Sequence, residues 1–133
     1  MPRLYPHPVD VRTLSPLNLA FIGDGVYELL VRERLVCEAN RPNRVQHDLS
    51  VSLVRAEAQA QAAARILPLL DDREEAVFRR GRNAHTARTG EDYHSATGLE
   101  ALFGYLYLCG NIDRLRALFA VGLGDTNGEA RES

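Results

Sequence analysis

The sequence predicts a single all-α domain, and three observations support this prediction. A chain of 133 residues is long enough to bury the core of one domain. Capping residues, prolines and glycines divide it into segments of helical length. No segment alternates between apolar and polar residues, as a half-exposed strand would. The apolar content of 45% and the charged content of 26% are ordinary for a globular protein.

The first two predicted helices cover the N-terminal half of the chain. Ser15–Pro16 combines an N-cap residue with a proline at the first helical position, so we expect a helix from here to about Val36. Asn43 and Gln46 resemble a capping box, which predicts the start of a second long helix. We expect that helix to end at Pro68, because proline cannot continue a helix.

A short helix and a long loop are predicted next. Asp72 and Glu75 repeat the capping pattern and start a helix that ends near Gly81. Residues 82–94 show no periodicity, so we expect a loop there. Loops of this length in a compact domain are more often functional than idle.

Two more helices complete the predicted fold. Ser95 is a candidate N-cap for a helix that ends at about Cys109. Asn111 starts a last helix that ends at about Val121. The prediction is therefore five or six helices, with no internal repeat and no linker between domains.

The charges are unevenly distributed along the chain. The formal net charge of −2 argues against a generic binder of polyanions. The 16 basic residues are all arginine, which suits bidentate phosphate contacts better than lysine does. Residues 124–133 carry a net charge of −2 themselves. We expect them to be a disordered acidic tail that follows a folded domain at residues 1–123.

The two cysteines and the absence of long apolar runs bear on the location of the protein. Cys37 and Cys109 are too few for a disulfide framework, which predicts a reducing, cytoplasmic compartment. We expect both to be small core residues. The N-terminus has no signal-peptide core, and no apolar run reaches membrane-spanning length without a charge. No membrane partner is therefore expected.

An acid in each of two largely apolar runs bears most directly on function. Asp24 lies in LNLAFIGDGVYELL (residues 17–30), and Glu100 is the only charge in ATGLEALFGYLYL (residues 96–108). We expect Asp24 to be buried and Glu100 to be partly shielded from water, which is costly for a carboxylate unless it is paired, hydrogen-bonded or metal-bound. The glycines beside both acids permit close helix packing.

Converging carboxylates suit one kind of cation. Mg²⁺ prefers oxygen ligands, keeps several waters and takes further oxygens from substrate phosphates. Asp24 and Glu100 therefore predict metal-assisted phosphodiester hydrolysis. The alternative for Asp24 is a structural contact with a backbone group or an arginine. Glu28, one turn later, is a metal ligand, a residue that supports the ligands, or a solvated acid, and the sequence leaves these readings open.

A cluster of basic residues follows the short third helix. RRGRNA, followed by a histidine and another arginine, predicts contacts with phosphate groups. Its members are Arg79, Arg80, Arg82, Asn83, His85 and Arg88. The alternative is a basic helix end that complements the helix dipole, but three arginines in four residues exceed what that requires.

His47–Asp48 offers a different enzyme class. Metal phosphohydrolases of the HD type use this dipeptide together with another histidine and a distant aspartate. His7 lies in a proline-rich extended stretch, so we interpret His47 as a surface or substrate-contacting residue. An HD-like phosphohydrolase that acts on small phosphoesters remains an alternative.

Four motifs, in this order and spacing, resemble the ribonuclease III family. They are FIGDGVYELLVRERL, VRAEAQAQAAARIL, FRRGRNAHT and SATGLEALFGYLYLCG, and the similarity extends over residues 14–122. The chain is most similar to Mini-ribonuclease III, the compact bacterial subfamily that lacks the double-stranded-RNA-binding domain. The resemblance implies a homodimeric, Mg²⁺-dependent endonuclease, with Mn²⁺ as a substitute, that cleaves double-stranded RNA. It also implies the 23S rRNA precursor as substrate, and it leaves open whether a ribosomal protein assists.

The resemblance assigns site residues by position. It implies that Asp24 and Glu100 are the catalytic metal ligands. Larger members of the family have further acids where this chain has Ala20 and Thr97, which leaves the number of metal ions open and makes Thr97 a candidate supporting residue. Glu57 stands where a lysine is common. The non-catalytic alternative is an RNA-binding or ribosome-associated helical module, which would gain nothing from two costly acids.

Overall fold

The computed structural model describes residues 3–84 and 90–125. Two short 3₁₀-helices lie at Val11–Thr13 and Leu67–Leu69. The α-helices of the described ranges are α1 (Pro16–Glu38), α2 (Asn43–Val54), α3 (Ala56–Ile66), α4 (Asp72–Arg82), α5 (Glu91–Leu108) and α6 (Ile112–Gly122). These ranges contain no strand, so the all-α prediction is confirmed.

Helix α5 is at the centre of the fold and packs against α1, α3, α4 and α6. Its buried residues lie on every side of the helix, as expected for a helix that is surrounded by others. They are Ala96, Gly98, Leu99, Ala101, Leu102, Phe103, Gly104 and Leu106. Phe103 packs against Tyr27 of α1 and Phe119 of α6, with ring centroids 5.3 and 6.5 Å away. The core is therefore built around the helix that carries Glu100.

The predicted starts of the first and last helices are confirmed. The Ser15 side chain accepts a hydrogen bond from the backbone N–H of Asn18 at 3.1 Å. The Asn111 side chain accepts one from the backbone N–H of Arg114 at 3.3 Å. Both side chains satisfy a backbone donor that has no partner within its own helix.

The prediction of one long helix between residues 43 and 68 is wrong. Arg55 has an extended backbone, with ψ of 162°, and separates α2 from α3. The Gln59 side chain donates to the carbonyl oxygen of Val54 at 2.9 Å and stabilises the break. The predicted capping box is also wrong, because Pro42 precedes the first turn and the Asn43 side chain forms no cap. The break allows α3 to pack its buried face against α5.

The boundaries on either side of the predicted loop also differ. The capping box of α4 is formed by Asp71 and Glu74, one residue earlier than predicted. Helix α5 begins at Glu91, directly after Gly90, whose φ of +107° favours glycine. Ser95 therefore lies inside α5 and does not cap it. The first turn of α5 carries one aromatic residue, Tyr93, which is too little to reveal a helical period.

The C-terminal end of the described chain is attached to α1. Asp125 forms a bidentate ion pair with Arg34 of α1. Arg65 of α3 donates to the carbonyl oxygen of Gly122 at 2.6 Å. Residues 126–133, most of the predicted acidic tail, lie outside the described residues.

The cysteine prediction is wrong, because Cys37 and Cys109 are both exposed free thiols. Each lies near the end of a helix, where the apolar pattern no longer coincides with a buried face. Within the described ranges, no helix is both long enough and apolar enough to span a membrane.

Candidate active site

The crossing of α1 and α5 is formed by backbone atoms. A Cβ atom added to Gly23 would overlap the carbonyl oxygen of Glu100 and would lie 2.8 Å from the backbone nitrogen of Gly104. A Cβ atom added to Gly104 would overlap the carbonyl oxygen of Leu19. Glycine is therefore required on both helices for this close packing. Since Asp24 follows Gly23 directly, the crossing brings the segment that carries Asp24 against the turn that carries Glu100.

Asp24 lies on the outer side of this crossing. The prediction that it is buried is wrong, because the residue is exposed. Successive residues of an α-helix are about 100° apart around its axis, so Asp24 points away when Gly23 faces α5. Glu100 is half-buried, as expected. The site is accordingly an open surface next to the helix crossing, accessible to a large substrate.

A second close helix contact places the basic cluster near the same helix. A Cβ atom on Gly98 of α5 would lie 2.8 Å from the carbonyl oxygen of Phe78 in α4. A Cβ atom on Gly81 of α4 would lie 2.7 Å from the Cβ of Ala101. The C-terminal turn of α4, which carries three arginines, is therefore packed against the part of α5 that contains Glu100.

The arginines of this turn differ in their partners. Arg79 pairs with Glu75 one turn earlier in α4. Arg82 pairs with Glu91 at the start of α5. Arg80 is exposed and forms no ion pair with any described residue. Of these three arginines, Arg80 can therefore contact a phosphate without first breaking an ion pair with a carboxylate.

The remaining members of the basic cluster lie at the C-terminus of α4 and beyond it. Asn83 is exposed and caps α4, with its backbone N–H donating to the carbonyl oxygen of Arg79 at 2.9 Å. His85 and Arg88 lie outside the described residues. The link between Arg82 and Glu91 connects the two helix ends that flank this segment.

The supporting residues proposed from the sequence have local partners. Glu28 accepts a hydrogen bond from Arg32 at 3.1 Å, one turn later in α1. The Thr97 hydroxyl donates to the carbonyl oxygen of Tyr93 at 2.9 Å within α5. Neither contact connects the residue to Asp24 or Glu100.

His47 and Glu57 both lie on the surface, away from the α1–α5 crossing. His47 is exposed in an open groove between α1 and α2, which Arg32 and Ser50 also line. Glu57 is exposed at the start of α3, 3.5 Å from Arg55.

The donor set at the crossing suits a hard divalent cation. Asp24 and Glu100 offer carboxylate oxygens, and the exposure of Asp24 leaves room for water and phosphate oxygens. Within residues 3–84 and 90–125, no group of three or more His, Cys, Asp or Glu side chains lies close enough to hold a metal ion. Mg²⁺ is usually bound by one or two carboxylates together with waters and substrate phosphates, so the carboxylates of Asp24 and Glu100 are of the kind this ion prefers.

Two residues near the site were missed in the sequence. Phe21, one turn before Asp24, is 83% exposed, although it lies in an apolar run that suggests a core. Tyr27, one turn after Asp24, is buried among aromatic residues, and its hydroxyl has no hydrogen-bond partner among the described residues. The spacing of apolar residues in α1 could not separate these positions, because apolar residues occur on most sides of this helix.

Comparisons with known proteins identify the family. Residues 17–111 match the family model described as "Ribonuclease III domain". Mini-ribonuclease 3 of Thermoanaerobacter sp. (strain X514) is 44% identical over 118 residues, which cover 85% of this chain and 83% of the relative. Mini-ribonuclease 3 of Synechococcus sp. (strain ATCC 27144) is 48% identical over 115 residues, with 84% and 82% covered.

A solved structure shows the same architecture. The crystal structure of a protein from Fusobacterium nucleatum aligns with a TM-score of 0.78 at 26% identity and covers 87% of this chain and 97% of that one. The family model and the similar relatives therefore identify the same family. The chain belongs to the ribonuclease III family, in its Mini-ribonuclease 3 branch, and is an endoribonuclease.

Proposed function

We propose that the chain is a Mg²⁺-dependent endoribonuclease that cleaves double-stranded RNA as a homodimer. The observation that carries this proposal is the backbone contact at Gly23 and Gly104, which packs the turn of α1 that carries Asp24 against the turn of α5 that carries Glu100. The ribonuclease III family acts on double-stranded RNA and generally requires a divalent metal. On the resemblance of the sequence motifs to this family, we also propose maturation of the 23S rRNA precursor in the cytoplasm as its role.

Asp24 and Glu100 are the metal ligands in this proposal. Their carboxylates would hold Mg²⁺, or Mn²⁺ as a substitute. Such a metal would supply positive charge and lower the pKa of a bound water, and we propose that cleavage leaves 5′-phosphate and 3′-hydroxyl ends. The exposed side of Asp24 admits an RNA backbone, which a closed cavity would exclude.

The basic end of α4 is proposed to bind the RNA backbone. Arg80 contacts phosphate directly, whereas Arg79 and Arg82 must exchange carboxylate partners for phosphate. The basic cluster predicted from the sequence extends this surface to Asn83, His85 and Arg88, of which the last two lie outside the described residues. Since Gly81 and Gly98 pack α4 against α5, the phosphates are held beside the helix that carries Glu100.

The homodimer is proposed to form through the outer face of α1. The apolar residues exposed on this helix are Leu17, Phe21, Leu29 and Val36. A large apolar patch exposed on a folded domain marks an interaction surface. A second copy of the chain fits it because the patch borders Asp24, and cutting both strands of a duplex requires two sites related by a twofold axis. The partner's α1 would then place a second site beside the first.

The test is cleavage of a duplex RNA by the chain and its isosteric variants. Asp24→Asn and Glu100→Gln preserve packing but remove an anionic ligand, so we expect each to lose most cleavage while duplex binding and helicity are retained. EDTA should abolish wild-type cleavage, and excess Mg²⁺ should restore it. Near-wild-type turnover by either variant would contradict that residue's assignment. Hydrolysis of small phosphoesters in place of RNA would favour the HD-like alternative.

A further inference from the structure

Tyr27 of α1 carries a polar group that the fold leaves unsatisfied. The residue is 1% exposed, and its hydroxyl oxygen is buried without a hydrogen-bond partner among the described residues. An unsatisfied buried hydroxyl costs about 1–3 kcal/mol, and phenylalanine would fill the same apolar position without that cost. Core packing alone therefore does not explain why this position has a hydroxyl group.

The position of Tyr27 relates it to Glu100. Tyr27 lies one turn after Gly23, whose backbone contacts that of Glu100. Its ring packs on Phe103, which lies one turn after Glu100 on the same side of α5, with centroids 5.3 Å apart. The phenol ring of α1 therefore packs against α5 one turn from Glu100, and also against Phe119 of α6, with centroids 5.5 Å apart.

The electrostatic surroundings of the phenol are consistent with this position. Burial is the main cause that raises the pKa of Tyr27 to about 12. The positive charge of Arg65 opposes this rise, and the negative charge of Glu100 adds to it. The hydroxyl is therefore protonated at neutral pH and serves as a hydrogen-bond donor near an anionic acceptor.

We propose that Tyr27 is a positioning residue whose hydroxyl supports the Glu100 carboxylate through a bridging water. This inference rests on the proposed role of Glu100 as a metal ligand. A water between a buried donor and a carboxylate replaces the missing direct hydrogen bond. Groups that hydrogen-bond to a metal ligand fix its orientation, and their removal typically weakens metal binding about 10- to 100-fold.

The experiment compares Tyr27→Phe with the unmodified chain. Mg²⁺ binding is measured by calorimetry without RNA, and thermal unfolding is measured in EDTA. We expect an unchanged or higher unfolding midpoint in EDTA, because the orphan hydroxyl is removed, together with Mg²⁺ binding about 10-fold weaker. In duplex cleavage, the Mg²⁺ concentration for half-maximal activity should rise, whereas KM for RNA should not change.

Two controls make the result specific. Tyr107→Phe is the matched control, because the Tyr107 hydroxyl accepts from the backbone N–H of Leu4 at 2.8 Å and lies near the far end of α5. It should leave Mg²⁺ binding unchanged. In a Glu100→Gln background, Tyr27→Phe should have no further effect on Mg²⁺ binding, since Tyr27 acts through Glu100.

The outcomes separate this inference from the proposed function. Unchanged Mg²⁺ binding by Tyr27→Phe, with weaker binding by Glu100→Gln, would overturn the role of Tyr27 and preserve that of Glu100. A Tyr27 hydroxyl that interacts with Arg65 and not with Glu100 would produce this result. Unchanged Mg²⁺ binding by Glu100→Gln would overturn both. An equal effect of Tyr27→Phe with and without Glu100 would also refute action through that carboxylate.

Discussion

Replacement of Gly23 by alanine tests whether the backbone contact of α1 and α5 builds the site. The added Cβ would lie 1.7 Å from the carbonyl oxygen of Glu100, whereas folded proteins essentially never place a Cβ closer than 3.0 Å to another atom. The oxygen belongs to the backbone and cannot rotate away, so the helices must separate by at least about 1.3 Å at this point. Overpacking of this kind costs about 1–3 kcal/mol, and we expect a value at the upper end.

The effect on catalysis should exceed the effect on folding. Asp24 is on α1 and Glu100 is on α5, so a separation of more than 1 Å changes the spacing of the two carboxylates directly. A displacement of about 1 Å in a catalytic group can reduce the rate about 100-fold. We therefore expect Gly23→Ala to remain helical, to melt several degrees lower and to cleave duplex RNA about 100-fold more slowly under saturating Mg²⁺.

Gly25→Ala is the matched control for folding. No atom lies within 4 Å of a Cβ at Gly25, although it is in the same helix and only two residues away. Alanine there should stabilise α1 by about 0.5–1 kcal/mol because glycine is a poor helix former. Thermal unfolding by circular dichroism and single-turnover cleavage are the assays. Equal stability and cleavage for Gly23→Ala and the unmodified chain would refute the argument from backbone contact.

Three further predictions concern the surface and the core. The double variant Arg80→Ala/Arg82→Ala should bind duplex RNA with a smaller salt dependence. The slope of log K for binding against log salt should fall by about 1–2 for two unrelated duplexes alike, because each lost phosphate contact contributes about 0.9. An unchanged slope would mean that these arginines do not contact the RNA phosphates. Phe21→Asp should yield a monomer in sedimentation equilibrium, since the burial of each of the two symmetry-related rings contributes about 1.5–3 kcal/mol to the dimer. A variant that remains dimeric would exclude this face of α1 as the dimer interface. Arg114→Ala should destabilise the fold by about 3 kcal/mol at pH 7, because Glu74, whose side chain is 5% exposed, loses its ion-pair partner at 2.8 Å and keeps only the hydrogen bond from the backbone N–H of Asp71. The hydrogen bond from Arg114 lowers the pKa of Glu74, so this stability is present above the ordinary glutamate pKa of about 4.3 and is lost as pH falls through the lowered value. In urea unfolding, the difference in free energy of unfolding between Arg114→Ala and the unmodified chain should therefore be smaller at pH 3 than at pH 7.

The sequence predicted those parts of the fold that depend on local chemistry. Ser15 and Asn111 could be recognised as caps because their side chains satisfy donors three residues away. The break at Arg55 could not be predicted, because it has neither proline nor glycine and is stabilised by Gln59 and by the packing of α3. The start of α5 was missed for a related reason, since its first turn has Tyr93 as its one aromatic residue and shows no apolar periodicity.

For the candidate site, the sequence suggested which residues to consider but not the environment in which they lie. Asp24 and Glu100 could be chosen because each is an acid in an apolar run, and the adjacent glycines predicted close helix packing, which the structure shows. The apolar run around Asp24 also predicted burial, which is wrong. Apolar residues such as Phe21 can belong to a core or to an exposed interaction face, and a single sequence does not distinguish the two.

The sparse burial of α2 has a consequence for local opening. Ser50 is its only buried residue, while Leu49, Leu53 and Val54 are partly buried against the main core. A helix with so few buried contacts can unfold and refold while the rest of the domain stays intact. Amide hydrogens in residues 43–54 should therefore exchange with solvent through this local opening, whereas those at the α1–α5 crossing should exchange only through unfolding of the whole domain.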